Sequence, residues 1–117
     1  MKGLAEGIDL TPFVGRQLGA IRFGAWVVAF LFDGPEIVVE SDIALTNADG
    51  SSKVISDFRA AATDLCQLVG LEVVGAERTL NGGMLMQMSS GMNIEFRNSN
   101  PQYESFQLHV GNKTSVA

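Results

Sequence analysis

Apolar side chains alternate with polar ones along much of the chain, and clusters of turn residues separate the alternating runs. Residues 18–23 and 26–32 are rich in β-branched and aromatic side chains and lie on either side of Gly24. This pattern predicts two strands joined by a tight turn. Residues 36–43 then alternate with the period of two that is expected of a half-buried third strand.

The second half of the chain contains a further series of predicted strands. Residues 71–79, 84–88 and 92–97 are separated by short turns and therefore predict a meander. The last predicted strand, residues 103–110, places three apolar side chains on a core face: Phe106, Leu108 and Val110. Its other face carries Tyr103, Ser105, Gln107 and His109.

One helix is predicted between these two series of strands. Residues 47–52 form a cluster of turn residues, after which Ser56 can cap a helix and Asp57 can place a negative charge in its first turn. Apolar side chains then recur at helical spacing until Gly70, namely Phe58, Ala61, Ala62, Leu65, Leu68 and Val69. We expect Phe58, Leu65 and Leu68 to be buried.

Together these elements predict a single α+β domain over residues 1–117, a length typical of one domain. The expected architecture is a strongly twisted, mostly antiparallel sheet of about six or seven strands, curled like a half-barrel, with one helix packed on it. A small closed barrel with the helix at one end is the alternative.

Two segments carry apolar side chains on both of their faces, residues 26–32 and residues 84–88. One helix cannot shield two faces of a sheet. The pattern therefore predicts a homodimer formed through one of these segments.

Composition and charge exclude several classes of protein. A hydrophobic fraction of 46% with 18% charged residues is typical of a chain that folds. The net charge of −5 argues against nucleic-acid binding, which depends on neutralising phosphates. The longest apolar run, residues 25–32, is far shorter than the ~20 residues of a membrane span. A lone Cys66 and the lack of a secretory signal predict a cytoplasmic protein.

The polar face of the last strand is the best candidate for chemistry. Tyr103, Ser105, Gln107 and His109 are candidate ligand-binding residues, although such alternation is also what the solvated face of an antiparallel strand shows. An acid–base role for His109 would require a partner such as Tyr103 or Glu95. With one Cys and one His, a zinc site is excluded, so we expect no metal, no cofactor and no assigned catalytic residue.

A family resemblance lies in the C-terminal half. Residues 83–96, followed by residues 103–108 with the sequence Tyr-Glu-Ser-Phe-Gln-Leu, resemble a pattern in small uncharacterised bacterial domains, some of which are suspected immunity proteins against toxins. The chain departs from that pattern at Phe106, where Trp is common. The resemblance implies a bacterial cytosolic domain that neutralises a partner protein.

The sequence therefore predicts a non-enzymatic cytoplasmic binding module, and the resemblance implies that this module neutralises a partner protein. Two alternatives remain open. One is a small enzyme with a sheet cavity around His109, and the other is a structural homodimer of unknown role.

Overall fold

The computed structural model describes residues 3–99 and 104–117. Within these ranges the chain forms ten strands, a short 3-10 turn at Thr11–Phe13 and one helix. In chain order the strands and the helix are β1 (Ala20–Phe23), β2 (Val28–Leu31), β3 (Glu36–Val39), β4 (Ile43–Thr46), β5 (Ser52–Ile55), α1 (Ala62–Cys66), β6 (Val73–Arg78), β7 (Met84–Met88), β8 (Asn93–Phe96), β9 (Phe106–Val110) and β10 (Lys113–Val116).

The strands form two five-stranded antiparallel sheets. The first sheet has the order β1-β2-β3-β9-β10, and the second has the order β5-β4-β8-β7-β6. The inner faces of the sheets pack on each other and share one hydrophobic cluster. At its centre the ring of Phe30 on β2 meets the ring of Phe96 on β8 edge-on, with the ring centroids 5.4 Å apart.

The predicted α+β class is therefore wrong, because the chain is essentially all β. The second sheet, and not a helix, covers the apolar face of the first. Alternation along each strand predicts that one face is buried, but it does not distinguish a helix from a second sheet as the cover. The single half-barrel sheet is wrong for the same reason.

The helix is much shorter than predicted. It spans five residues, Ala62–Cys66, and Ala61 rather than Ser56 precedes its first turn. The Asp57 carboxylate accepts a hydrogen bond from the Ala60 N–H within the preceding turn. Phe58, Leu65 and Leu68 are nevertheless buried as expected, because successive turns can present the same apolar spacing as one continuous helix.

The strand predictions differ from the structure in two ways: one predicted strand is divided into two, and two edge strands were not predicted. Predicted strand 36–43 is divided, because the chain leaves the first sheet after Val39 and enters the second at Ile43. β5 and β10 were missed, because they are short edge strands with mostly exposed side chains. The β1–β2 hairpin and the β6-β7-β8 meander are confirmed.

The pairing of the strands relates the two halves of the chain by a pseudo-two-fold axis. Each half forms a three-stranded meander and then sends a hairpin into the sheet of the other half. In this relation β1 to β5 correspond to β6 to β10. The registers agree: Ile37 pairs with Leu108 across the first sheet, just as Ile94 pairs with Leu45 across the second.

The segments that precede β1 and β6 obey the same relation. Both contain a Val-Gly pair with glycine at positive φ, Gly15 (84°) and Gly70 (95°), a conformation that glycine adopts without strain. The Gly15 N–H donates to the Val73 carbonyl at 2.8 Å, and the Gly70 N–H donates to the Leu18 carbonyl at 2.7 Å. These reciprocal bonds join the two segments antiparallel to each other.

A polar cluster connects the two crossings, which are the points where the chain passes from one sheet to the other. The Asp42 carboxylate accepts a hydrogen bond from the Ser99 hydroxyl and forms an ion pair with Arg97 at 3.3 Å. The buried Ser105 contributes its carbonyl, which accepts the N–H groups of Glu40 and Ser41 at 2.9 and 3.1 Å. The hairpins of both halves are thereby anchored at one place.

Leu65→Ala should lower the free energy of unfolding by about 2–5 kcal/mol, because it leaves a cavity at a fully buried core position. Urea unfolding measures the effect. A loss below roughly 0.5 kcal/mol, the size of an ordinary surface effect, would contradict the packing of α1 on the core.

Asp42→Ala should cost about 1–3 kcal/mol, because it removes the charged acceptor of the half-buried Arg97 side chain and of the Ser99 hydroxyl. Asp64→Asn is the matched control. It removes the more exposed ion pair with Lys53, and it should change the free energy of unfolding by no more than about 0.5 kcal/mol. Equal effects of the two substitutions would contradict a special role for the cluster at the crossings.

Candidate functional site

The predicted polar face is only partly assembled on β9. Gln107 and His109 lie half-buried on the outer face of the first sheet. Ser105 is fully buried at the crossing between the sheets, where its hydroxyl accepts the Ser99 N–H at 3.2 Å. Tyr103 lies outside the described residues.

The outer-face side chains form a hydrogen-bonded chain across β9 and β10. The Gln107 amide donates to the Glu104 carboxylate, and its oxygen lies 3.0 Å from His109 Nε2. Because an amide oxygen can only accept, this contact is a hydrogen bond in the tautomer that has its proton on Nε2. His109 Nδ1 lies 3.1 Å from the hydroxyl of Thr114, its neighbour on β10. Both ring nitrogens of His109 therefore have protein partners.

Glu95 is not brought to His109. It lies on β8 in the second sheet, paired with Ala44 on one side and Leu85 on the other, where its side chain is directed to the outer face of that sheet. His109 lies on the outer face of the opposite sheet, so the body of the protein separates the two side chains.

The β10 edge offers backbone groups that no described strand uses. Phe106 and Ala117 exchange two hydrogen bonds, of 3.0 and 3.3 Å. Antiparallel pairs alternate, so the N–H and C=O groups of Thr114 and Val116 are directed away from β9. Within residues 3–99 and 104–117, no group hydrogen-bonds to these outward groups.

A groove runs beside this open edge, between β10 and the N-terminal segment. It comprises two cavities of about 760 and 510 Å³ that share Ile8 and Ser115 in their walls. The smaller one is lined by Ile8, Asp9, Pro12, Leu108, Val110, Asn112, Lys113 and Ser115. The groove therefore has an apolar base of aliphatic side chains and proline, with polar groups around it.

The pseudo-two-fold equivalent of β10 is β5, and its edge is closed differently. Lys53 occupies the position that Ser115 has in β10, since each pairs with the equivalent leucine of the adjacent strand. The Lys53 ammonium reaches Asp64 on α1 at 2.6 Å, which links the edge strand to the segment beside it. The cavity that remains there is about 360 Å³.

The segments predicted to form a dimer interface are mostly enclosed. Val28, Phe30 and Phe32, together with Met84, Met86 and Met88, are buried between the sheets, and among these two segments Trp26 is the strongly exposed large side chain. The packing of the two sheets thus covers the inner face of each segment. The homodimer itself stays a prediction.

The described residues contain no group of three or more His, Cys, Asp or Glu side chains arranged to hold a metal ion. In the same ranges no helix is long and apolar enough to cross a membrane.

Residues 9–117 match the model of a family described as a family of unknown function, DUF6188. The chain belongs to this family. No curated protein and no solved structure matches it. The DUF6188 match includes β10 and the Asp9 side of the groove, so most of the open edge lies within the region that defines membership.

The strand β10, and with it the open edge, was not predicted from the sequence. A signal was present, because Gly111-Asn112 is a two-residue turn sequence that favours a hairpin. The structure places this turn between the paired residues Val110 and Lys113.

The Asp9 carboxylate beside the groove should contribute a pH-dependent stability. Hydrogen bonds from the Thr11 hydroxyl and N–H lower the pKa of Asp9, and Lys113 adds a smaller effect in the same direction. Because the pKa is lower in the folded state, this stabilisation is present above the unfolded value of about 4 and is lost as the pH falls through the folded value.

Asp9→Asn should therefore lower the urea midpoint at pH 7 and have a smaller effect at pH 3. Urea unfolding of both proteins at the two pH values measures the difference. An effect of equal size at pH 7 and pH 3 would contradict a role for the ionised carboxylate.

Proposed function

We propose that this protein is a binding module that takes up an extended segment of a partner protein as an added strand along β10. The occupant is a single peptide strand, and the module has no catalytic role. The observation that carries the proposal is the outward backbone of Thr114 and Val116 beside an open groove.

Backbone geometry supports an extended segment as the occupant. Two residues with outward N–H and C=O groups offer up to four hydrogen bonds to an added strand, which is how exposed sheet edges recognise peptides. Each such bond contributes about 0.5–1.5 kcal/mol net. The side chains of the added strand would then alternate between the groove and the outer face that carries Gln107 and His109.

The contrast with β5 supports the choice of edge. A lysine within an edge strand discourages further pairing, and each edge strand carries one. Lys53 on β5 forms an ion pair with Asp64 across that edge, whereas Lys113 lies at the start of β10 beside the turn and forms no ion pair within the part of the chain that the structure describes. At the equivalent position β10 has Ser115, whose side chain is too short to span the groove. Asp9, the equivalent of Asp64, bonds within its own turn to Thr11.

Charge supports a basic partner. The net charge of −5 would attract a positively charged protein and accelerate association at low salt.

Capture of a partner strand is also a means of neutralising a toxin, the role implied by the resemblance to immunity domains. We assign this role to the bacterial cytoplasm, where a lone exposed cysteine such as Cys66 remains reduced.

Proline substitution at the two equivalent edges tests the proposal. Val116→Pro removes an outward N–H without removing a bond to β9, a position that proline tolerates in an edge strand. Val54→Pro does the same on β5 and is the matched control. Peptides selected on the wild-type protein from a displayed library of random dodecapeptides should bind Val54→Pro normally and bind Val116→Pro at least tenfold more weakly.

A second variant tests the same edge without a proline, so that a loss of binding is not attributed to unfolding of Val116→Pro. Ser115→Lys introduces the residue that closes the β5 edge, and it should also weaken peptide binding. Peptides that bind all variants equally, or a library that yields no binder, would contradict the proposal. A dimer mass in light scattering that returns to about 12.5 kDa in Val116→Pro would instead identify a second copy as the occupant.

A further inference from the structure

We infer that the groove beside β10 contains an anchor pocket for one bulky apolar side chain of the bound segment. This inference rests on the proposed function and names the class of segment that the module recognises. The anchor is an aliphatic or aromatic residue, flanked on both sides by residues directed to the outer face.

The lining of the smaller cavity supports the apolar anchor. Ile8, Pro12, Leu108 and Val110 form its apolar part, and Asp9 and Lys113 are exposed polar residues of its lining. A concave apolar surface with a few polar groups around it is the usual form of a binding pocket. Its volume of about 510 Å³ is ample for one large side chain.

The equivalent positions in the other half of the chain are mostly polar. Thr63, Gln67 and Asn47 correspond to Ile8, Pro12 and Val110, while a leucine is retained at the fourth position. Leu45 and Leu108 are both buried in the core. At these equivalent positions the groove beside β10 is therefore more apolar than the surface beside β5.

The register of β10 determines which residue of the segment enters the pocket. Thr114 and Val116 supply the outward backbone groups, and their side chains lie on the outer face beside His109 and Gln107. Lys113 and Ser115 face the groove. A segment residue opposite Ser115 therefore places its side chain on the groove side, and its two neighbours point outward.

The test uses the peptides selected on the wild-type protein as probes. An alanine scan of each peptide should reveal one apolar position whose loss weakens binding about 10- to 100-fold, the effect of removing one buried apolar side chain. Val110→Asn and Ile8→Thr, which install the residues found beside β5, should each weaken the same peptides about tenfold or more. Trp26→Ser removes an exposed apolar side chain elsewhere and should leave binding unchanged.

The outcomes separate this inference from the proposed function. Peptides that lose affinity for Val116→Pro but bind both pocket variants normally would overturn the anchor pocket and leave strand addition intact. Peptides whose affinity does not depend on Val116 would overturn both. Thermal unfolding of each variant verifies that it is folded, and the alanine scan uses the wild-type protein throughout.

Discussion

The exchange of hairpins between the two halves is the constraint on which the rest of the fold depends. Neither meander has enough strands of its own to complete its sheet, so each sheet requires two strands from the other half. The crossings meet at Asp42, Arg97, Ser99 and Ser105, where hydrogen bonds and an ion pair connect them. Because the interior is closed by this exchange, a five-residue helix is sufficient and no larger helical layer is needed.

The same exchange produces two equivalent edges, and the two edges are closed in different ways. β5 ends the first half of the chain and β10 ends the second. Among the described residues, each has a strand on one side only. Lys53 links β5 to α1, whereas Ser115 leaves β10 separated from the N-terminal segment by a groove. This difference is the observation on which the proposed binding surface at β10 rests.

The sequence predicted most of the strands, but it did not predict the short helix, the edge strands β5 and β10, or the way the two halves combine. Alternation predicted the buried faces of most strands, because burial on one face depends on nearby residues. It did not predict the crossing at residues 40–42, since passage to another sheet leaves no change in periodicity. The repeat was visible in principle: residues 10–18 and 65–73 both place leucine before an apolar-Val-Gly unit. The candidate site was less predictable, because an open edge is defined by backbone groups rather than by side-chain types.

Amide hydrogen exchange at Thr114 and Val116 tests the central claim most directly, because it reports on the backbone groups themselves. In the free protein these two amides should exchange rapidly, as unpaired edge groups do. Saturation with a selected peptide should slow both at least tenfold and leave the equivalent Val54 amide unchanged. Amides that are already protected in the free protein, or that stay unprotected when the peptide is bound, would contradict strand addition at β10.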